Sequence, residues 1–190
     1  MKLPGVTQLI RLSETESTQK VARELALKNF SEGTLIWADA QTQGRGRLDR
    51  KWVSQKGGLY FTLILRPKIS PRLLAGLSLE TAHSIAQALK RNTHLETQVK
   101  PPNDVLARSH ASQPYKKICG ILPEASGSSQ WTDWILLGVG VNVNNPISPR
   151  LRHATSLSQL TGHSLDGEEV LRAVLKGFWE SYRVFLRQRY

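Results

Sequence analysis

The sequence predicts an α+β fold in which helices cover a sheet. Three observations carry this: strand-like apolar runs of mixed length, stretches with apolar residues at three- and four-residue intervals, and no regular strand–helix–strand repeat of the kind that builds a parallel sheet. With 190 residues, 39% of them hydrophobic, the chain is long enough to bury a substantial core, and a single domain is expected.

Taken in order, residues 16–30 read as a helix, with Ser17 and Thr18 as possible N-caps before Val21, Ala22, Leu25 and Ala26 at helical spacing. Residues 34–40 are a short β-prone run that feeds a glycine-rich, basic, aperiodic loop at 41–58. Residues 59–65 are apolar on both alternating faces, as in a strand covered on both sides, and Pro67 and Pro71 bound the segment that ends it. A helix with proline in its first turn fits residues 71–91. Val99 begins a short segment where Pro101 and Pro102 forbid helix, residues 109–114 form a turn, and a strand follows at 118–122. Residues 131–133 fall in a hairpin connection before a buried strand at 135–143. Residues 168–189 form a strongly amphipathic helix carrying Val170, Leu171, Val174, Leu175, Phe178, Trp179, Tyr182, Phe185 and Leu186.

The 26 Lys and Arg residues against 15 Asp and Glu give a formal charge of +11, so the surface attracts anions. That restricts partners only to anionic ones: nucleic acid, a nucleotide, an acidic protein or an anionic membrane surface. The single cysteine, Cys119, excludes an intramolecular disulfide and offers no metal-ligand pattern, which favours a reducing, cytoplasmic setting. No apolar run is long enough for a helical membrane span and the N-terminus lacks a signal-peptide core, so no membrane association is expected.

The chemistry concentrates at Gly44-Arg45-Gly46-Arg47-Leu48-Asp49-Arg50-Lys51-Trp52. Two glycines admit a ligand close to the backbone and three arginines offer planar, permanently charged forks, a combination that suits phosphate. It has neither the Walker spacing nor that of a dinucleotide fold. These residues alone leave open a phosphate site, a contact with nucleic-acid backbone, and a solvated basic loop.

Residues 41–60 as a whole (QTQGRGRLDRKWVSQKGGLY) closely resemble the signature of the biotin-protein ligases. Four further blocks occur in the family's order: Glu16-Ser17-Thr18-Gln19 resembles its EST segment, Lys100-Pro101-Pro102-Asn103-Asp104-Val105 its KWPND element, residues 117–124 (KICGILPE) its KxxGIL strand, and residues 138–144 (GVGVNVN) its glycine and asparagine strand. The resemblance covers roughly residues 10–145. It implies the fold shared with class II aminoacyl-tRNA synthetases, a mixed, largely antiparallel sheet flanked by helices. It also implies ATP-dependent attachment of biotin, through biotinyl-5'-adenylate, to a lysine on the biotin carboxyl carrier domain of acetyl-CoA carboxylase or a similar enzyme.

By the same resemblance, Lys117 lies beside the biotin carboxylate and the α-phosphate. Arg45 and Arg47 belong to the loop that closes over the adenylate, and Arg50 reaches the triphosphate. Ser17, Thr18, Gln41, Gly44, Arg45, Lys117 and Gly120 line the biotin pocket; Arg47, Arg50, Trp52, Lys100, Asn103 and Asn142 serve the nucleotide. Asn103 and Asp104 help hold a magnesium ion (Mg2+) on the phosphates. Trp52 is equally suited to the core, a turn cap would equally explain Asn103 and Asp104, and Cys119 reads as a packing residue.

Pro101 stands where the family has tryptophan, which removes an aromatic wall and a backbone donor, and residues 106–116 are longer than the family's hairpin. The sequence predicts a catalytic domain alone, without the DNA-binding domain or C-terminal barrel of some members, so no DNA partner is expected; a homodimer is compatible. Three other readings are a lipoate or octanoate transferase of the same fold, which lacks the GRGR loop in this form, a basic nucleic-acid-binding protein, for which no readout motif is present, and a degenerate ligase in which Pro101 and the missing barrel have abolished turnover while biotin binding survives.

Overall fold

A computed structural model describes residues 2–48 and 50–188. Asp49 of the arginine loop and Arg189, the last residue of the expected C-terminal helix, lie outside the described residues. The elements are β1 (Gln8–Leu12), α1 (Thr18–Leu27), β2 (Thr34–Ala38), β3 (Leu59–Leu65), a 3₁₀ turn (Pro71–Leu73), α2 (Leu74–Thr93), β4 (Glu96–Lys100), β5 (Asp104–Arg108), β6 (Lys116–Gly127), β7 (Thr132–Val141), α3 (Leu157–Thr161) and α4 (Gly167–Arg187). The strands form one seven-stranded sheet in the order β1-β2-β3-β7-β6-β5-β4. Only β1 and β2 run parallel, so the sheet is mixed and largely antiparallel, as expected. Among the described residues no helix is long and apolar enough to cross a membrane.

Alternation along the strands sends their side chains to two unlike faces. Leu35 and Trp37 of β2, Phe61, Leu63 and Leu65 of β3, and Ile135, Leu137, Val139 and Val141 of β7 join the larger core, which α2 and α4 cover. Burying Val174, Leu175, Phe178 and their neighbours on α4 stabilises this layer by about 1.5–3 kcal/mol for each fully buried apolar side chain. On the other face Ile36, Ile64, Trp134 and Leu136 meet only Ala22 and Ala26 of α1 with a few partly buried neighbours. That second layer is short. Beyond Leu136 the same face of β7 carries Gly138 and Gly140; of α1, only the Gln19 side chain reaches them, at Gly138.

Several boundaries differ from the sequence reading. α1 ends at Leu27 because Asn29 adopts a left-handed φ of 61°. The helix expected at 71–91 begins as a 3₁₀ turn and runs on to Thr93. β6 extends from Lys116 to Gly127 through Pro123. The amide of Ile121, two residues earlier, points away from β7 to bond Asn103 O at 2.9 Å, so Pro123 has its missing donor on the same outer side, where β5 no longer pairs. Thr132 and Asp133 belong to β7 and only Trp131 stays in the turn. β1, β5 and α3 were not foreseen, and β4 starts at Glu96 rather than at Val99: β1 is a mostly exposed edge strand, and α3 spans five residues, although its Ser156–Gln159 capping box is a sequence signal.

Candidate active site

The bare stretch of sheet is the floor of the site. Gly140 on β7 pairs with Gly120 on β6, and the Trp52 ring rests on both. A Cβ on Gly140 would lie 2.6 Å from Trp52 Nε1, and one on Gly120 would lie 2.9 Å from Trp52 Cζ3. Two residues along β7, a Cβ on Gly138 would lie 2.8 Å from Gln19 Nε2. Glycines at alternate positions of one strand thus leave room for two side chains brought from elsewhere, Gln19 from α1 and Trp52 from the loop.

Lys117 reaches this face through an irregularity. Asp104 pairs with Gly120 and Val105 with Cys119, but Leu106 pairs with Lys117, so Ile118 is an extra residue on β6. Without it Lys117 would share the parity of Cys119 and Ile121 and point into the large core. The extra residue turns it to the open face, the re-aiming that bulges perform beside active sites. Beyond the bulge Lys117 leaves β7, and its backbone is clamped by the segment after β7: its N–H bonds His153 O at 2.8 Å and its carbonyl accepts from Thr155 N at 3.0 Å. Lys117 Nζ lies 2.7 Å from Asp104 Oδ1, an ion pair, and 5.1 Å from the centroid of the Trp52 ring.

The described residues of the 41–58 stretch form a folded flap rather than an aperiodic loop. Gln41 bridges Ser54 and Arg45 bridges Lys51 in antiparallel fashion, and Gly46 N bonds Arg50 O at 2.7 Å. Gly44 sits where the legs meet, with no space for a Cβ, which would come within 2.4 Å of Trp52 O. Gln41 ties the flap to α1. Its Oε1 accepts from Thr18 N at 2.8 Å and from the Thr18 hydroxyl at 3.2 Å, while Ser17, in the N-cap position, makes no side-chain cap bond. An orphan amide of the first turn is therefore satisfied from the loop. At the tip, Arg47 Nη1 donates to Asn103 Oδ1 at 3.2 Å, and Asn103 Nδ2 donates to Ile121 O at 3.0 Å.

The flap divides the space above the floor into an inner slot of about 60 Å³ and an outer chamber of about 310 Å³. Ser17, Thr18, Gln41, Arg45 and Gly120 line the slot; Arg50, Asp104 and Asn142 line the chamber. Arg47, Trp52, Asn103 and Lys117 line both. Gly44 and Lys100 line neither: Gly44 closes the base of the flap, and Lys100 is exposed at the end of β4. Arg45 extends 3.7 Å from Glu124, which Arg23 also contacts. Asn142 is buried, donating to Thr155 O at 3.1 Å and accepting from Asn145 Nδ2 at 3.2 Å. Cys119 is fully buried, and burial pushes its thiol pKa up, as for a packing residue.

Asn103 and Asp104 do not form a ready metal site. The Asp104 carboxylate is held by Lys117 and the Asn103 carboxamide by Arg47 and Ile121, and the described residues contain no cluster of three His, Cys, Asp or Glu able to hold an ion. Sequence reasoning missed Gln19, Asn145 and the chamber wall at 146–154. The alternation Gly138-x-Gly140 was a usable signal for Gln19, because two bare positions on one strand face require something to lie over them; the 146–154 wall has no periodic signature.

The biotin/lipoate A/B protein ligase family model matches residues 12–142. The chain is 39% identical over 175 residues to the bifunctional ligase/repressor BirA of Bacillus subtilis, covering 90% of this chain and 52% of that protein. It is 32% identical over 179 residues to the biotin--[acetyl-CoA-carboxylase] ligase of Paracoccus denitrificans, covering 90% of this chain and 72% of that protein. The biotin protein ligase of Aquifex aeolicus, solved with biotin and ATP, superposes with a TM-score of 0.81 at 38% identity over 96% of this chain and 73% of that one. The chain spans about half the length of its Bacillus relatives. Coverage, order of motifs and fold agree: the chain belongs to the biotin/lipoate A/B protein ligase family, and within it to the biotin protein ligases.

Proposed function

We propose that this chain activates biotin with ATP and transfers the biotinyl group to a lysine of a carboxylase carrier domain. The observation that carries the reading is the position of Lys117, whose side chain lines the slot and the chamber at once. Biotin in the slot, which the flap must open to admit, and ATP in the chamber bring a carboxylate and an α-phosphate together at that ammonium. The carboxylate oxygen attacks the α-phosphorus and the bond to pyrophosphate breaks, leaving biotinyl-5'-adenylate. Lys117 offsets the negative charge that both partners contribute. The ε-amine of the carrier lysine then attacks the acyl carbon and AMP departs.

The remaining residues position and protect. Arg47, latched to Asn103, holds the flap across the junction, where Arg45 and Arg50 add charge toward the slot and the chamber; a closed flap keeps water from the mixed anhydride. Trp52 walls off the nucleotide, and the Oδ1 of Asn145, 2% exposed and without a partner among the described residues, is an acceptor for the base beside Asn142. Ser17, Thr18, Gln41 and Gly120 enclose biotin. Magnesium enters with the triphosphate, as part of the substrate. A reducing, ATP-supplied compartment such as the cytoplasm suits both the reaction and the lone thiol.

Incubation with ATP, radiolabelled biotin and a carrier domain tests the proposal. Labelled biotinyl-adenylate followed by labelled carrier is expected; no adenylate would overturn it.

A further inference from the structure

Beside the slot, between α1 and the flap, lies a cleft of about 300 Å³ whose lining shares Arg45 with the slot. Glu124 stands in its wall. It occupies the face of β6 that carries Gly120 and Leu122, opposite Leu136 of β7, and so lies on the site's side of the sheet. Two arginines meet it from opposite directions. Arg23 of α1 donates through Nη2 to Glu124 Oε2 in a direct hydrogen bond, and its guanidinium lies 5.7 Å from the centroid of the buried Trp134 ring. Arg45 of the flap brings Nη1 only to 3.7 Å from Glu124 Oε1, beyond hydrogen-bond distance.

The balance of charge shows which arginine is spare. The charged groups lining the cleft are Glu16, Lys20, Arg23, Arg45 and Glu124. Lys20 is bonded to Glu16 at 2.6 Å and Arg23 to Glu124, so each carboxylate has a cation in direct contact and Arg45 shares one that is already neutralised. The Arg45 backbone is fixed by its bridge to Lys51, while its side chain, 57% exposed, lines the cleft and the slot alike. The arm can therefore turn from one to the other and leave a neutral pair behind. Without Arg23 the same movement would strand the carboxylate of Glu124, which is largely withdrawn from water, and a stranded charge there is costly.

We infer that Arg23 is a positioning residue: by neutralising Glu124 it releases Arg45 to the anion bound in the slot. The inference rests on the biotin reading of the slot, in which that anion is the biotin carboxylate and then the phosphate of the adenylate. In the absence of Arg23, Glu124 holds Arg45 in the cleft, the fraction of protein ready to bind falls, and apparent affinity falls with it. Steps after binding are untouched, so KM changes and kcat does not.

The test measures adenylate formation in Arg23→Gln, in Arg23→Lys and in the double variant that adds Glu124→Gln to Arg23→Gln. Arg23→Gln should raise KM for biotin about 2- to 5-fold with kcat unchanged, the range for an ion pair with exposed partners, and added salt should shrink the rise. Arg23→Lys keeps the charge and should stay near the native KM. The double variant should return to the native KM, because no carboxylate is left to hold Arg45. A merely structural role for Arg23 would leave the double variant as impaired as the single one, and that result overturns the inference; so does a native KM in Arg23→Gln. Native protein that makes no adenylate would reject the proposed function, and the inference with it, so the two failures are distinct.

Discussion

Lys117 Nζ is bound to Asp104 Oδ1 at 2.7 Å while facing the Trp52 ring at 5.1 Å, so a carboxylate and an aromatic wall jointly fix one ammonium at the junction of two cavities. Asp104 lies on the neighbouring strand two positions from Leu106, the residue opposite Lys117, and the pair is diagonal across β5 and β6. Lys117→Ala should lower the rate of adenylate formation by about 100- to 1,000-fold, as removal of a transition-state charge partner does. The measurement is release of pyrophosphate in a single turnover; near-normal release refutes the role.

The flap is latched by the bond from Arg47 to Asn103. Arg47→Gly removes a charged hydrogen bond worth about 1.5–3 kcal/mol and should speed escape of the adenylate about 10- to 100-fold. Escaped adenylate acylates unrelated lysines, so label appearing on an added bystander protein checks this, and tight retention counts against the latch.

Gly140→Val should expel Trp52 from its seat, since even a Cβ would come within 2.6 Å of the indole nitrogen. Overpacking of this kind costs about 1–3 kcal/mol. A red-shifted tryptophan emission and a raised KM for ATP are expected together; an unchanged spectrum would mean that the ring does not rest on the strand.

The structure also explains how far the sequence could be read. β3 was legible as an unbroken apolar run bounded by breakers, and α4 because its apolar residues repeat with the helical period. β1 was not, because an edge strand of mostly exposed residues carries little apolar signal. At the site, Ser17, Thr18, Gln41, Arg47, Trp52, Asn103 and Lys117, singled out by motif order, all line the slot, and the last four line the chamber as well. Gly44 and Lys100 were placed by motif membership alone, and neighbours in a motif need not face the same cavity. The bulge at Ile118 could not be read at all: parity along β6 alone sends Lys117 into the core, and only pairing with β5 shows the extra residue.

Cys119 should resist alkylation in the folded protein. It is fully buried and burial raises its thiol pKa, so little thiolate exists to react. Iodoacetamide should leave it unmodified in native buffer and modify it in denaturant, with mass spectrometry as the readout; rapid native labelling would show the site opening.

The hydrogen bond from Arg108 to Glu96, at 2.6 Å, holds the Glu96 carboxyl below its ordinary value of 4.5. A depressed folded value gives stabilisation that is present above the unfolded value and lost as the pH falls through the folded one. The acid limb of the unfolding profile should therefore flatten slightly in Glu96→Gln, by a small amount because the pair is at the surface. An unaltered acid limb would show that this pair adds nothing.

The central place of β7 has a consequence for the order in which the protein becomes competent during synthesis. It pairs with β3 on one side and β6 on the other, and it brings Gly138 and Gly140 beneath the site. Every motif from Ser17 to Lys117 leaves the ribosome before β7 does, yet none of them has a surface to converge on until Val141 has emerged and the strand is inserted. A nascent chain carries the arginine flap and Lys117 for much of its translation with nowhere to hold the proposed adenylate. The proposed activation chemistry is thereby withheld until the sheet is whole.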